Sequence, residues 1–256
     1  MTETTDKPVI DIKSLDKRFG PIHAVRGISF SVHKGEVLGF LGPNGAGKST
    51  TMKMITGFLE PTAGTVTVCD YDILENPIAV KKRIGYLPEG APLYGEMTVT
   101  SFLNFIADIR GMKGEYREKQ IEDVIRKINL QSVRNQTLET LSKGFKRRVG
   151  VAQAILHDPE ILIMDEPTDG LDPNQKHEVR TLIKEMAHNK AIIISTHILE
   201  EVDAVCTRAI IIASGQLLFD GTPAELLARS ENGKLDDVFR QITTQFYSET
   251  GVTAQS

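Results

Sequence analysis

The sequence predicts an α/β protein with a mostly parallel central sheet, an N-terminal antiparallel β subdomain and an inserted helical lobe. Short, wholly apolar runs rich in β-branched residues recur at Ile161 to Met164 and Ala191 to Ile194, as strands buried on both faces would. A helical pattern from Pro173 to about Lys190 separates those two runs and is long enough for a parallel crossover. A further run, Glu36 to Leu41, stops at Gly42 and gives way to a helical stretch beginning around Lys48.

In chain order, Val9 to Leu15, Ala24 to Val32 and Glu36 to Leu41 look like strands joined by turns at Gly20 and Gly35. Thr65 to Cys69 follows the turn Pro61-Thr62-Ala63-Gly64, and Arg83 to Leu87 precedes Pro88. From Thr98 to about Leu156 the pattern is helical. Val99, Phe102, Leu103, Phe105, Ile106 and Ile109 form one apolar stripe, and Ile121, Val124, Ile125 and Ile128 form the next. A hairpin is expected at Arg208 to Asp220 around Ser214-Gly215. Thr222-Pro223-Ala224-Glu225 joins an N-cap, an N1 proline and the Glu of a capping box, so a helix starts there. Leu235 to Phe246 is one more helix candidate, and the last ten residues or so are polar enough to fray. The division expected is a catalytic unit over 8–222, with a helical lobe inserted at about 90–158, and a C-terminal helical extension over 223–256.

The chain has 256 residues, 40% hydrophobic and 25% charged, enough for one large domain or two small lobes. A formal net charge of −4 argues against a general nucleic-acid binder. Cys69 and Cys206 lie far apart, with no metal-ligand spacing, and read as reduced thiols. The N-terminus lacks the basic start and apolar run of a signal peptide, and runs such as Ala209 to Ala213 fall far short of a bilayer span. The expectation is that no segment crosses a membrane and that any membrane role comes through a partner.

Gly42-Pro43-Asn44-Gly45-Ala46-Gly47-Lys48-Ser49-Thr50 matches the phosphate-loop pattern G-x-x-x-x-G-K-[ST]. Glycines let backbone N–H groups turn toward phosphate oxygens, and the helix N-terminus adds favourable partial charge. Lys48 would reach the β- and γ-phosphates, and the Ser49 hydroxyl would ligate Mg²⁺. Chance gives such a match in roughly one chain of this size in a hundred, before strand and helix flanks are required. Asp165 and Glu166 end a buried strand, where doubly wound folds bind ligands. Asp165 would hold Mg²⁺ directly or through water, while Glu166 could orient and deprotonate an attacking water. His197 follows another strand end and could hydrogen-bond a γ-phosphate or that water.

The order of these motifs resembles the ABC ATPase family over nearly the whole chain, with its P-loop NTPase fold. Leu87-Pro88-Glu89 matches the family's Q-loop, and Leu141-Ser142-Lys143-Gly144-Phe145 its signature. Asp169-Gly170-Leu171-Asp172 matches the D-loop, and His197 the switch. Phe19 matches the aromatic that stacks on adenine; otherwise it is a core strand residue. The resemblance implies ATP held between the phosphate loop of one subunit and the signature of another. Ser142 and the Gly144 backbone would then serve in trans at a helix N-terminus. It further implies an ATPase subunit of a transporter with ATP and Mg²⁺ as ligands. The implied assembly is a homo- or heterodimer of cassettes, peripheral at the cytoplasmic face of the membrane through a permease. The groove after Glu89, near Ala91, Pro92, Leu93 and Tyr94, is where the family docks that permease.

Two positions depart from the family pattern. Glu89 replaces the usual Gln, so it can ligate Mg²⁺, alongside Ser49 and Asp165, but cannot donate as an amide does. Lys143-Gly144-Phe145 replaces Gly-Gly-Gln. Both departures look like the ABC-2 type, gliding-motility and exporter-associated branch. The alternatives are a soluble ABC-type ATPase of DNA repair or translation, and a P-loop kinase. The first lacks its usual coiled-coil insert or second cassette here, and the second leaves the signature and D-loop unexplained.

Overall fold

Strand β1 (Ile10–Phe19) turns at Gly20-Pro21 into β2 (Ile22–Val32), with Phe19 paired to Ile22. The fold is that of a computed structural model describing residues 7–90, 92–230 and 233–250. Ala91 and most of the tail expected to fray lie outside those residues. Strands β4 (Ala63–Val68) and β5 (Tyr71–Asp72) complete an antiparallel sheet of order β2-β1-β4-β5.

The second sheet runs β10-β9-β3-β8-β7-β6. Its members are β3 (Val37–Leu41), β6 (Ile84–Leu87), β7 (Ile161–Asp165), β8 (Ala191–Thr196), β9 (Arg208–Ala213) and β10 (Gln216–Gly221). All neighbours are parallel except the β9–β10 hairpin. Alternation in β7 shows why the apolar runs are continuous. Ile161 and Ile163 pack toward β1, β2 and helix α1 (Lys48–Ile55), whereas Leu162 and Met164 pack toward the helical lobe. Each such side chain, fully withdrawn from water, contributes about 1.5–3 kcal/mol.

The lobe contains α3 (Val99–Ile109), α4 (Gly114–Lys127) and α5 (Lys143–Ile155). The continuous helical pattern expected there is broken between α4 and α5. Asn129 takes φ 54 just past α4, and tight turns follow at Gln131–Val133 and Leu138–Thr140. Helix α6 (Pro173–Ala187) is the crossover between β7 and β8. Two short helices carry no legible period. In α2 (Pro77–Arg83), an N1 proline opens the helix and Lys81, Lys82 and Arg83 complement its C-terminal dipole, so Arg83 closes a helix instead of opening a strand. Helix α7 (Leu199–Val205) fills the gap between β8 and β9. Beyond the sheet, α8 (Pro223–Leu227) begins with the Thr222–Glu225 capping box, and α9 (Leu235–Thr250) follows. Val238 and Leu226 bury against Leu199, Val202 and Ile211, which seats this C-terminal segment behind α7. No helix among the described residues is long and apolar enough to cross a membrane.

Candidate functional site

Parallel register brings four strand ends to one rim. Leu41 pairs with Thr196, Asp165 with Ser195, and Leu87 with Met164. The residues just beyond them are Gly42, His197, Glu166 and Pro88-Glu89. The sites expected from separate stretches of sequence therefore leave the sheet side by side.

Between β3 and α1 the chain wraps a cavity of about 250 Å³ lined by Asn44 to Thr50, Ala24, Glu89 and Glu166. Gly45 and Gly47 hold φ 76 and 104, values that a side chain would strain. Gly47 also passes so close to β2 that a Cβ there would lie 2.5 Å from the Ala24 carbonyl oxygen. Helix α1 has no side-chain cap, so its first N–H groups face the cavity mouth available to an anion. The Lys48 ammonium is buried and donates to the carbonyls of Gly42 (2.7 Å) and Pro43 (3.0 Å). Burial lowers its pKa, against the opposing pull of Glu166, Asp165 and Glu89. The cradle thus pairs one desolvated cation with a rim of carboxylates.

Asp165 is 1% exposed. Its Oδ1 accepts from the Ser195 hydroxyl, while Oδ2 has no partner among the described residues. A buried anionic oxygen left unpaired is costly, and a divalent cation would satisfy it. No cluster of three or more His, Cys, Asp or Glu that could hold a metal exists among the described residues. A cation beside Asp165, Ser49 and Glu89 would therefore take its remaining ligands from phosphate and water, which is the habit of Mg²⁺. These residues fit that ion.

Glu166 occupies φ 51, and its N–H donates to Ser195 O (3.1 Å). That turn separates its side chain from that of Asp165. The Glu166 Oε1 lies 2.8 Å from His197 Nδ1. An ionised carboxylate only accepts, so Nδ1 carries the shared proton and a neutral ring leaves Nε2 as an acceptor. The opposite nitrogen, Nε2, accepts from a water O–H when the ring is neutral and donates to a phosphate oxygen when it is protonated. Tyr86, whose hydroxyl is buried and without a partner among the described residues, is pushed up to about 12 by burial and by Asp165 and Glu89.

Sequence reasoning missed Arg147. From the middle of α5 its buried guanidinium donates to the carbonyls of Asp165, Glu166, Pro167 (3.4 Å) and Pro88 (3.2 Å). It thereby ties the ends of β6 and β7 to the helix that starts at the signature. Ala24 was also missed, because it contributes only a backbone surface.

The remaining expected residues lie outside the cavity lining. Ser142 is exposed and caps α5, accepting from Phe145 N at 3.4 Å. Leu141 is buried in the lobe, and Gly144 packs under Gln175 of α6, where a Cβ would lie 2.4 Å from Oε1. Lys143 abuts Gly170. Asp169 N donates to Glu166 O (3.1 Å), Leu171 is buried, and Asp172 caps α6 by accepting from Gln175 N (3.0 Å). Phe19 stands in the β1–β2 hairpin, 45% exposed, with the Lys17 ammonium 5.1 Å from its ring centre. Leu93 packs partly into the lobe, while Tyr94 is exposed with its edge against Phe105.

A family model described as "ABC transporter" matches residues 25–169. The chain is 36% identical over 235 residues to the "Probable multidrug ABC transporter ATP-binding protein YbhF" of Escherichia coli (strain K12), covering 91% of this chain and 40% of that protein. It spans 26% to 40% of the length of such longer curated relatives. A solved structure described as "Structure of ATP binding subunit of ABC transporter" superposes with a TM-score of 0.83 at 29% identity, over 92% of this chain and 99% of the other. The "ABC transporter ATP-binding protein NatA" of Bacillus subtilis (strain 168) is 37% identical over 220 residues, covering 85% of this chain and 89% of NatA. With that identity carried across most of NatA and the family model matching more than half of the chain, the chain belongs to the ABC transporter family.

Proposed function

We propose that the chain binds ATP with Mg²⁺, hydrolyses it to ADP and phosphate at a site shared with a second cassette, and so drives a membrane permease from the cytoplasmic side. The observation that carries this is the Glu166–His197 pair at 2.8 Å, whose carboxylate lines the same cavity as the phosphate loop. Bound Mg²⁺ would neutralise developing phosphate charge. Lys48 and the loop N–H groups hold the phosphates, and Glu166 orients the attacking water and takes its proton. His197 fixes that carboxylate through Nδ1, which keeps Glu166 aimed at the water.

Two-cassette operation rests on an incomplete cavity. None of Leu141 to Gly144 lines it, yet Ser142 sits exposed at the head of α5. A second chain, identical or related, would supply that N-terminus to the γ-phosphate, and D-loop residues Asp169 to Asp172 would meet it alongside. ATP then favours the closed pair because the ligand has more partners there, and hydrolysis relaxes it. Phe19 ends β1 and pairs with Ile22 of β2, the strand that brings Ala24 to the cavity, and would stack on the adenine.

Permease docking is assigned to a cavity of about 570 Å³ whose walls include Phe58, Ile78, Tyr86, Pro88, Ile109 and Arg110. Phe58 is 76% exposed, an unusual surface position for so large an apolar side chain. Pro88 joins this groove to Glu89 in the cradle.

Steady-state hydrolysis by Glu166→Gln tests the reading. Turnover should fall by roughly a thousandfold while nucleotide binding persists, as loss of a general base requires. A stable ATP-bound dimer should accumulate by light scattering. Turnover near the parent rate would remove Glu166 from its role.

A further inference from the structure

We propose that Glu201 is a positioning residue for His197, holding the loop that carries the imidazole from within the core. The proposal rests on the hydrolytic reading of His197 given above. Glu201 lies in α7, 1% exposed, and takes no part in the cradle. A carboxylate is rarely buried to this degree unless its surroundings use it.

Its contacts converge on one residue's neighbours. The Thr196 hydroxyl donates to Glu201 Oε2 at 2.7 Å, and the same hydroxyl oxygen accepts from the Ile198 N–H at 3.0 Å. Thr196 and Ile198 flank His197. One buried carboxyl group therefore fixes the backbone on both sides of the ring that meets Glu166. Thr196 is itself 1% exposed, so water cannot stand in for the carboxylate without opening the core.

The second oxygen faces α6. Glu201 Oε1 has no hydrogen bond among the described residues, and Arg180 Nη2 lies 4.0 Å away. Burial raises the Glu201 pKa, and Thr196, Arg180, Lys176 and His197 oppose that rise. Arg180 belongs to the helix capped by Asp172 of the D-loop. The same helix sets Gln175 against Gly144, and Glu178 2.8 Å from Arg148 of α5. Through α6, Glu201 therefore connects the His197 loop with the helix that Ser142 caps, two places the proposed dimer would load together.

The test uses the full chain, three variants and a His197→Ala background. Glu201→Ala removes the anchor. Thr196→Val removes only the hydroxyl and keeps the shape. Glu201→Gln keeps an acceptor for Thr196 and should restore part of the loss. In Glu201→Ala and Thr196→Val, kcat should fall roughly ten- to hundredfold with KM for ATP within about twofold, as a misplaced but intact catalytic group gives. Against a His197→Ala background the same substitutions should have no further effect, because they act through the missing ring. The His197 ring resonances, identified by their loss in His197→Ala, should shift in both variants, and the shift in Thr196→Val decides, because that change removes no charge whereas Glu201 also acts on the ring electrostatically. That readout needs no turnover. Unmoved resonances would overturn the positioning role, as would equal losses in the presence and absence of His197. A parent protein without ATPase activity, or an unimpaired His197→Ala, would instead refute the hydrolytic reading.

Discussion

Gly42 approaches the carbonyl of Ile212 so closely that a Cβ at this position would lie 2.2 Å from that oxygen and 3.0 Å from the Ala46 side chain. The obstacle is the backbone of β9, which cannot swing aside as a flexible side-chain tip could. Gly42→Ala must therefore push the phosphate loop off its strand. Calorimetry should show ATP affinity falling at least tenfold, about 1.4 kcal/mol, with a modest drop in Tm. An unchanged Kd would mean that loop placement does not govern binding.

Glu89 supplies a cavity-lining carboxylate where the family has an amide. The carboxylate can contribute an anionic oxygen to Mg²⁺ and the amide cannot. Glu89→Gln should raise the half-saturating Mg²⁺ concentration for hydrolysis roughly fivefold, about 1 kcal/mol for one charge at partly solvated range. Titration of Mg²⁺ at fixed ATP measures it. An identical curve for the two proteins would assign the metal to Ser49, Asp165 and phosphate alone.

Legibility followed how local the determining physics is. The phosphate loop is a continuous run whose glycines and lysine have fixed spacing. Strands buried on both faces announce themselves as apolar runs, so β3, β7 and β8 are plain. The capping box at Thr222 is equally local. Helices α2 and α7, with seven residues each, are too short for a period to emerge. The break after Asn129 depends on a left-handed residue that leaves little trace in composition. Arg147 and Glu201 were illegible because their meaning is tertiary. Each looks like an ordinary charged residue on a helix until the fold buries it against carbonyls or a hydroxyl from another strand.

His157 gives the fold an acid-sensitive point. The ring follows α5 and donates from Nε2 to Ile84 O at 3.2 Å, and its Nδ1 has no partner among the described residues. Burial first, then the nearby Arg110 cation, pushes its pKa down to about 4; the hydrogen bond to Ile84 O opposes this, and Lys190 and Asp158 add smaller contributions of opposite sign. An unfolded histidine titrates at about 6.5, so between these values the unfolded chain binds the extra proton. The contribution is whole above about pH 6.5 and is lost as the pH falls toward 4, up to about 3 kcal/mol. Denaturant midpoints from pH 7 to 5 should fall less steeply for His157→Gln than for the parent. Parallel slopes would place the acid sensitivity elsewhere.

Arg147→Lys should cost more than its retained charge suggests. The guanidinium fork reaches four carbonyls, those of Pro88, Asp165, Glu166 and Pro167, and an ammonium on a shorter reach cannot span them. Any carbonyl left unpaired in this buried setting loses about 1–3 kcal/mol. The same carbonyls fix the chain just before Glu89 and around Glu166, so the damage should extend to chemistry. Burial already lowers the Arg147 pKa against the pull of Asp169, Asp165, Glu166 and Glu89, which marks it as a cation retained for its contacts. Thermal melting should show a loss of roughly 2–4 kcal/mol, and kcat measured well below the new Tm should drop by at least tenfold. Nucleotide affinity should change little, because the phosphate loop hangs from β3 and not from β7. A variant that melts early yet turns over normally when folded would confine Arg147 to holding the sheet together.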